Sequence, residues 1–149
     1  PQLLPSGSSE YGNIASEANI KINGQTNVTM NDNYINAYED RLEDEYCVGS
    51  NKATVEIEFP EDRDIVAVML YDSSNYQYAL EQIDSLKINH LSKKKIKICK
   101  DFYDNKDSMF KIPCSAFIYE FDEIKSKKIV MELSSYNNIY LNEIVVVGK

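Results

Sequence analysis

The sequence predicts a mainly β fold, an antiparallel β-sandwich with one short helix, and three features carry that prediction. The chain ends on Tyr140-Leu141-Asn142-Glu143-Ile144-Val145-Val146-Val147-Gly148-Lys149, a β-branched run that stops on glycine. Ala53 to Phe59 alternates apolar and polar residues with the period of a half-buried strand. Further short apolar segments follow, separated by polar turns, at the spacing of a sandwich or barrel. Eleven Tyr and five Phe without a Trp favour strands, and 43% apolar residues in a chain of 149 suit one core in one domain.

Residues 1–12 hold Pro5, Gly7 and Gly12 among polar side chains and read as an N-terminal arm to a domain spanning 13–149. No initiator Met precedes Pro1, so the chain reads as a processed product or an excised domain. Asn19–Ile22 and Asn27–Met30 are β-capable pieces joined at Asn23-Gly24, a hairpin pair. Asn31 to Asn33 breaks the pattern, and an acidic segment, loop or short helix, runs on to Cys47.

Pro60 is expected to end the strand Ala53–Phe59, since it cannot donate to a ladder. A turn at Glu61–Asp64 would then lead into Ile65–Tyr71, apolar enough to cross the core. Ala79, Leu80, Ile83 and Leu86 recur at three- and four-residue spacing, which predicts the helix between Asp72 and Leu86. Short strands are expected at Leu86–Ile88, Ile96–Cys99, Phe110–Ile112, Ala116–Phe121 and Ile129–Leu133. In the last strand Ile144, Val145 and Val147 read as buried, with the N-terminal strand paired nearby.

Asp and Glu outnumber Lys and Arg by 24 to 16, a net charge of −8 that disfavours nucleic acid and anionic membrane as partners. No apolar run reaches the roughly 20 residues of a membrane span, so attachment to a membrane would come from segments outside this chain. The single histidine, His90, has no Ser or Cys motif beside it, and nothing forms a catalytic constellation. The chain therefore reads as a binding module with no catalytic residue.

Asp32, Asp40, Glu43 and Asp44 offer oxygen ligands for Ca2+, though without the glycine and terminal glutamate of an EF-hand; no other cofactor is indicated. Lys93–Lys95 and Lys125–Lys128 read as strand-edge protection. Cys47, Cys99 and Cys114 fit no zinc spacing and allow either one disulfide with a free thiol or three reduced cysteines. Asn27-Val28-Thr29 is a glycosylation sequon and leans towards an oxidising compartment.

Several segments fall in the order of a known family. Asn13-Ile14-Ala15-Ser16, Ala18 to Ile22, Asp32-Asn33-Tyr34-Ile35 leading to Cys47, Val55 to Phe59, Ile65 to Tyr71, Tyr71 to Ser74 and the terminal strand together resemble a galactose-binding-like jelly roll. The likeness is to SUN domains of the divergent SUN-like type, with discoidin and coagulation-factor C-type domains as the runner-up. The SUN-like pattern has a second cysteine where this chain has Tyr140, and a His-Tyr-Gly segment where it has Ser134 to Asn138. If a disulfide forms, the resemblance gives Cys47 to it, with Cys99 or Cys114 in place of the usual partner.

The resemblance implies a non-enzymatic protein-interaction module in the lumen of the endoplasmic reticulum or nuclear envelope, binding another protein through loops. Candidate loop residues are Tyr34, Glu39, Asp40, Glu43 and Asp44 in the acidic segment, and Asp72, Ser73, Tyr76 and Tyr78 after the second long strand. One alternative is a discoidin-type carbohydrate-binding module, secreted or at the cell surface, stacking a sugar on Tyr or Phe. Another is a scaffold subunit of a cytosolic complex, with its cysteines reduced.

Overall fold

Two twenty-residue strands, β5 (Lys52–Tyr71) and β9 (Ala116–Ser135), run antiparallel to each other and organise the rest of the molecule. The computed structural model describes residues 11–32, 46–47, 50–71, 83–93, 96–99 and 116–149. The remaining elements are β1 (Gly12–Asn13), β2 (Asn19–Ile22), β3 (Gln25–Asn27), β4 (Tyr46–Cys47), β6 (Ile83–Ile88), β7 (Leu91–Ser92), β8 (Ile96–Cys99), β10 (Tyr140–Leu141) and β11 (Glu143–Gly148).

The register of β5 on β9 shifts between Glu58 and Arg63 and again between Ile65 and Ala67. Irregularities of this kind bend a strand pair, and each half of the pair has its own neighbours. On the first half, β2 adds to β5 from Asn19↔Glu58 to Ile22↔Val55, and β6 adds to β9 from Ile83↔Ser135 to Ile88↔Met131. On the second half, β11 adds to β5 from Glu143↔Tyr71 to Gly148↔Ile65, while β8 pairs with β9. Inward side chains of both halves meet in one core, Ile22, Ile57, Leu86 and Met131 from the first and Leu70, Tyr119, Ile144 and Val146 from the second. The curled antiparallel sheet is thus a β-sandwich whose layers share β5 and β9.

Four sequence expectations need correction. Pro60 does not end a strand: β5 continues through it, and the proline lies where pairing with β9 is interrupted, so its missing N–H costs no ladder bond. The expected turn at Glu61–Asp64 is part of that bend. Likewise, the pieces at 116–121 and 129–133 are one strand, β9. The predicted helix fails over its C-terminal part, where Ile83–Ile88 is a strand with Leu86 and Ile88 buried and Ser85 and Lys87 exposed. Pairing with β9 outweighs the three- and four-residue spacing there, and residues 72–82 lie outside the described residues. The helical piece among the described residues is one 3-10 turn, Ala15–Glu17.

The fourth correction concerns Asn27–Met30. β3 stops at Asn27 because the Asn27 Oδ1 accepts from the backbone N–H of Thr29 (3.0 Å) and Met30 (2.9 Å) and from the Thr29 hydroxyl, folding the sequon into a turn. The strand expected at Phe110–Ile112 falls outside the described residues.

Other expectations hold. Asn23 and Gly24 both have positive φ (50° and 83°) and join β2 to β3 as the two-residue hairpin requires; Asn89 and His90 (49° and 69°) do the same between β6 and β7. The N-terminal strand pairs with the last one, Gly12↔Gly148 and Asn13↔Val147. The buried Asn13 fixes that junction: its Oδ1 accepts from the N–H of Ala15 (3.0 Å) and of Val146 (3.4 Å). Ile144 and Val145 are fully buried as expected, but Val147 is only half-buried, and Val146 takes the core position because alternation turns it to the same side as Ile144.

Candidate functional site

The start of β5 and the end of β9 come together at one end of the sandwich. Lys52 pairs with Ser134, and beyond that pair the two chains stay tied by backbone bonds from Ser135 N–H to Asn51 C=O (2.8 Å) and from Ile139 N–H to Ser50 C=O (3.0 Å). Ile139 is buried and anchors the segment, so residues 136–138 are held out as a short exposed bridge into β10. The β4–β10 ladder closes the edge, with Cys47 opposite Tyr140 and Tyr46 opposite Leu141.

These elements surround an open depression of about 550 Å³ lined by Ser50, Asn51, Tyr136, Asn137, Asn138 and Tyr140. None of the six carries a formal charge. Tyr136 is 76% exposed, far more than an aromatic ring needs for packing. A flat apolar face beside three amides and a hydroxyl, each able to donate and to accept, suits a ligand that is itself a ring with hydroxyl groups on its edge.

The loop candidates named from sequence, Tyr34, Glu39, Asp40, Glu43, Asp44, Asp72, Ser73, Tyr76 and Tyr78, all lie outside the described residues. Of the four calcium candidates only Asp32 is described, and among the described residues no three His, Cys, Asp or Glu side chains are grouped as a metal site. Cys47 and Cys99 lie in β4 and β8, whereas Cys114 is outside the described residues. Tyr140, which takes the place of the second cysteine in the SUN-like pattern, is the register partner of Cys47, so at that point a cysteine faces a tyrosine across the ladder. His90 stands exposed at the β6–β7 turn with its Nδ1 3.1 Å from the Glu132 carboxylate.

The depression was not singled out in the sequence, where Ser134 to Asn138 registers only as a departure from the family pattern. A signal was present in Tyr136-Asn137-Asn138, an aromatic followed by two amides between strands. What sequence does not show is that Ser50 and Asn51, some 85 residues earlier, complete the same surface.

No family model matches the chain, and no curated protein matches it. Among solved structures it is similar to "CpGH89CBM32-6 produced by Clostridium perfringens", with 14% identity and a TM-score of 0.49 over 91% of this chain and 97% of that one. It is also similar to a structure of two CBM32 modules with a catalytic domain from Clostridium perfringens ZmpB, with 15% identity and a TM-score of 0.49 over 92% of this chain but 15% of that one. Likeness at this level carries neither a fold nor a ligand across. The sandwich rests on its strand order and shared core, the site on its lining residues, and the SUN-like reading gains no support from either comparison.

Proposed function

We propose that this chain is a non-enzymatic carbohydrate-binding module of galactose-binding-like type, which places a sugar ring against Tyr136 and hydrogen-bonds its hydroxyls with Asn51, Asn137, Asn138 and Ser50. The observation that carries the reading is Tyr136, 76% exposed at the edge of an uncharged amide-lined depression. Stacking removes the apolar faces of ring and sugar from water, while the amides replace the water that solvated the hydroxyls. A module of this kind works where glycans are displayed, as a secreted or cell-surface protein or part of one.

The test is a glycan array probed with the folded chain, followed by titration of any glycan retained. Tyr136→Ala should weaken binding roughly five- to tenfold, the loss of one stacking contact of about 1–1.4 kcal/mol, with an unchanged melting temperature. Full affinity in Tyr136→Ala would overturn the proposal. Saturable binding of a lumenal membrane protein, with no glycan retained, would return the chain to the protein-interaction reading.

A further inference from the structure

The residues next in sequence to those of the Tyr136 depression line a second groove. It measures about 350 Å³ and lies on the outer face of the first layer, across β5, β9 and β6. Two registered rows form its floor: Lys52, Ser134 and Ser85 in the row nearer Tyr136, and Thr54, Glu132 and Lys87 in the next.

The charges in these rows are uneven. Glu132 is engaged by His90 at 3.1 Å and also has Lys87 as its register partner, and farther along the face Lys128 pairs with Glu56 at 3.2 Å. Lys52 and Lys87 are exposed, and neither forms an ion pair among the described residues. Lys87 has the Glu132 carboxylate opposite it in register, whereas Lys52 faces Ser134, so the groove carries two exposed lysines against one carboxylate that His90 also engages. From Tyr136 to the Lys87 row is four residues along β9, roughly 13 Å at the rise of a strand, which is longer than one sugar ring.

We infer that the ligand is an oligosaccharide bearing an anionic substituent: one neutral ring occupies the depression at Tyr136, and a carboxylate or sulfate farther along the glycan lies over Lys52 and Lys87. The inference rests on the carbohydrate reading of the Tyr136 depression and adds the length and charge of the ligand. Ser85 and Ser134 offer hydroxyl donors in the row of Lys52. Exposed lysine contacts of this kind add modest affinity, and salt weakens them.

The experiment titrates the folded chain with three probes: a uronate trisaccharide, the same trisaccharide with its carboxylates reduced to alcohols, and a sulfated trisaccharide. The acidic probes should bind about three- to tenfold more tightly than the reduced one at low salt, with the gap closing as salt is added. Carboxylate and sulfate are separated by which acidic probe shows the larger gap. Lys52→Gln with Lys87→Gln should abolish the gap and leave the reduced probe's affinity unchanged, whereas Tyr136→Ala should weaken all three. Equal binding of acidic and reduced probes, or a gap that survives the double lysine variant, overturns the inference and leaves the Tyr136 reading standing. Failure of all three probes to bind overturns both.

Discussion

The two ends of this sandwich are built from opposite materials. At the bend of β5 and β9 the chain is cross-tied by charge. Arg63 bridges Glu17 at 2.9 Å and lies over the Phe59 ring, Lys149 lies over Tyr11, and the Tyr11 hydroxyl donates to Glu123. Backbone bonds between Asp64 and Lys149 run in both directions, at 2.9 and 3.1 Å. At the other end the lining is uncharged, its polar groups are amides and hydroxyls, and one ring stands in solvent. The charged end closes through side-chain ion pairs and ring contacts, and the neutral end closes through backbone bonds from Ser135 to Asn51 and from Ile139 to Ser50.

The sharpest break lies in the last strand. Val145 is fully buried, so Val145→Asp puts an unpaired carboxylate in the interior, at several kcal/mol; circular dichroism and the loss of a cooperative melt should show an unfolded chain. Next comes Gly148 at the bend. A Cβ there would lie 2.4 Å from the Asp64 carbonyl oxygen, which is backbone and held by Lys149. Gly148→Ala should cost about 2–3 kcal/mol, read as a lower melting temperature. An unchanged melt would mean the bend is looser than its contacts imply.

Arg63→Ala removes one bridge to a half-exposed glutamate and one ring contact, about 1 kcal/mol in all, and the loss should shrink in high salt. Neither bend variant should alter the glycan binding proposed for the opposite end. The smallest effect has the opposite sign. Tyr119 is buried in the core with its hydroxyl unpartnered among the described residues, and burial holds its pKa well above the usual tyrosine range. The unfolded phenol ionises near pH 10, so stability is complete below that pH and falls as the pH rises through it, because the unfolded state then releases a proton that the folded state keeps. Tyr119→Phe should be neutral or stabilising by up to about 1 kcal/mol and should flatten the alkaline decline measured by denaturant melts at pH 8 and pH 11.

Local signals told the truth where a strand's environment is repetitive and misled where a neighbour decides. Asn23-Gly24 needed only its own backbone preferences to be read as a hairpin, and Ala53 to Phe59 only its alternation. Ile83 and Leu86 carried a helical spacing, yet the open edge of β9 took the segment as a strand. Pro60 was read as a terminator because a proline in a paired strand loses a bond, but at the interruption of the ladder no bond is there to lose.

What the sequence determined by itself was the class of fold and its closure: the β-branched C-terminal run, the Asn23-Gly24 hairpin and the pairing of the Asn13 segment with the last strand. These depend on propensity, periodicity and short-range turn chemistry, which each segment carries within itself. Tertiary structure alone decided the site. Ser50 and Asn51 meet Tyr136, Asn137 and Asn138 only because two long strands end in register, and Lys52 joins Lys87 only through the β9 strand between them. A candidate surface made by register between distant strands has only a partial local signature, here Tyr136-Asn137-Asn138, since no short stretch of chain contains the whole of it.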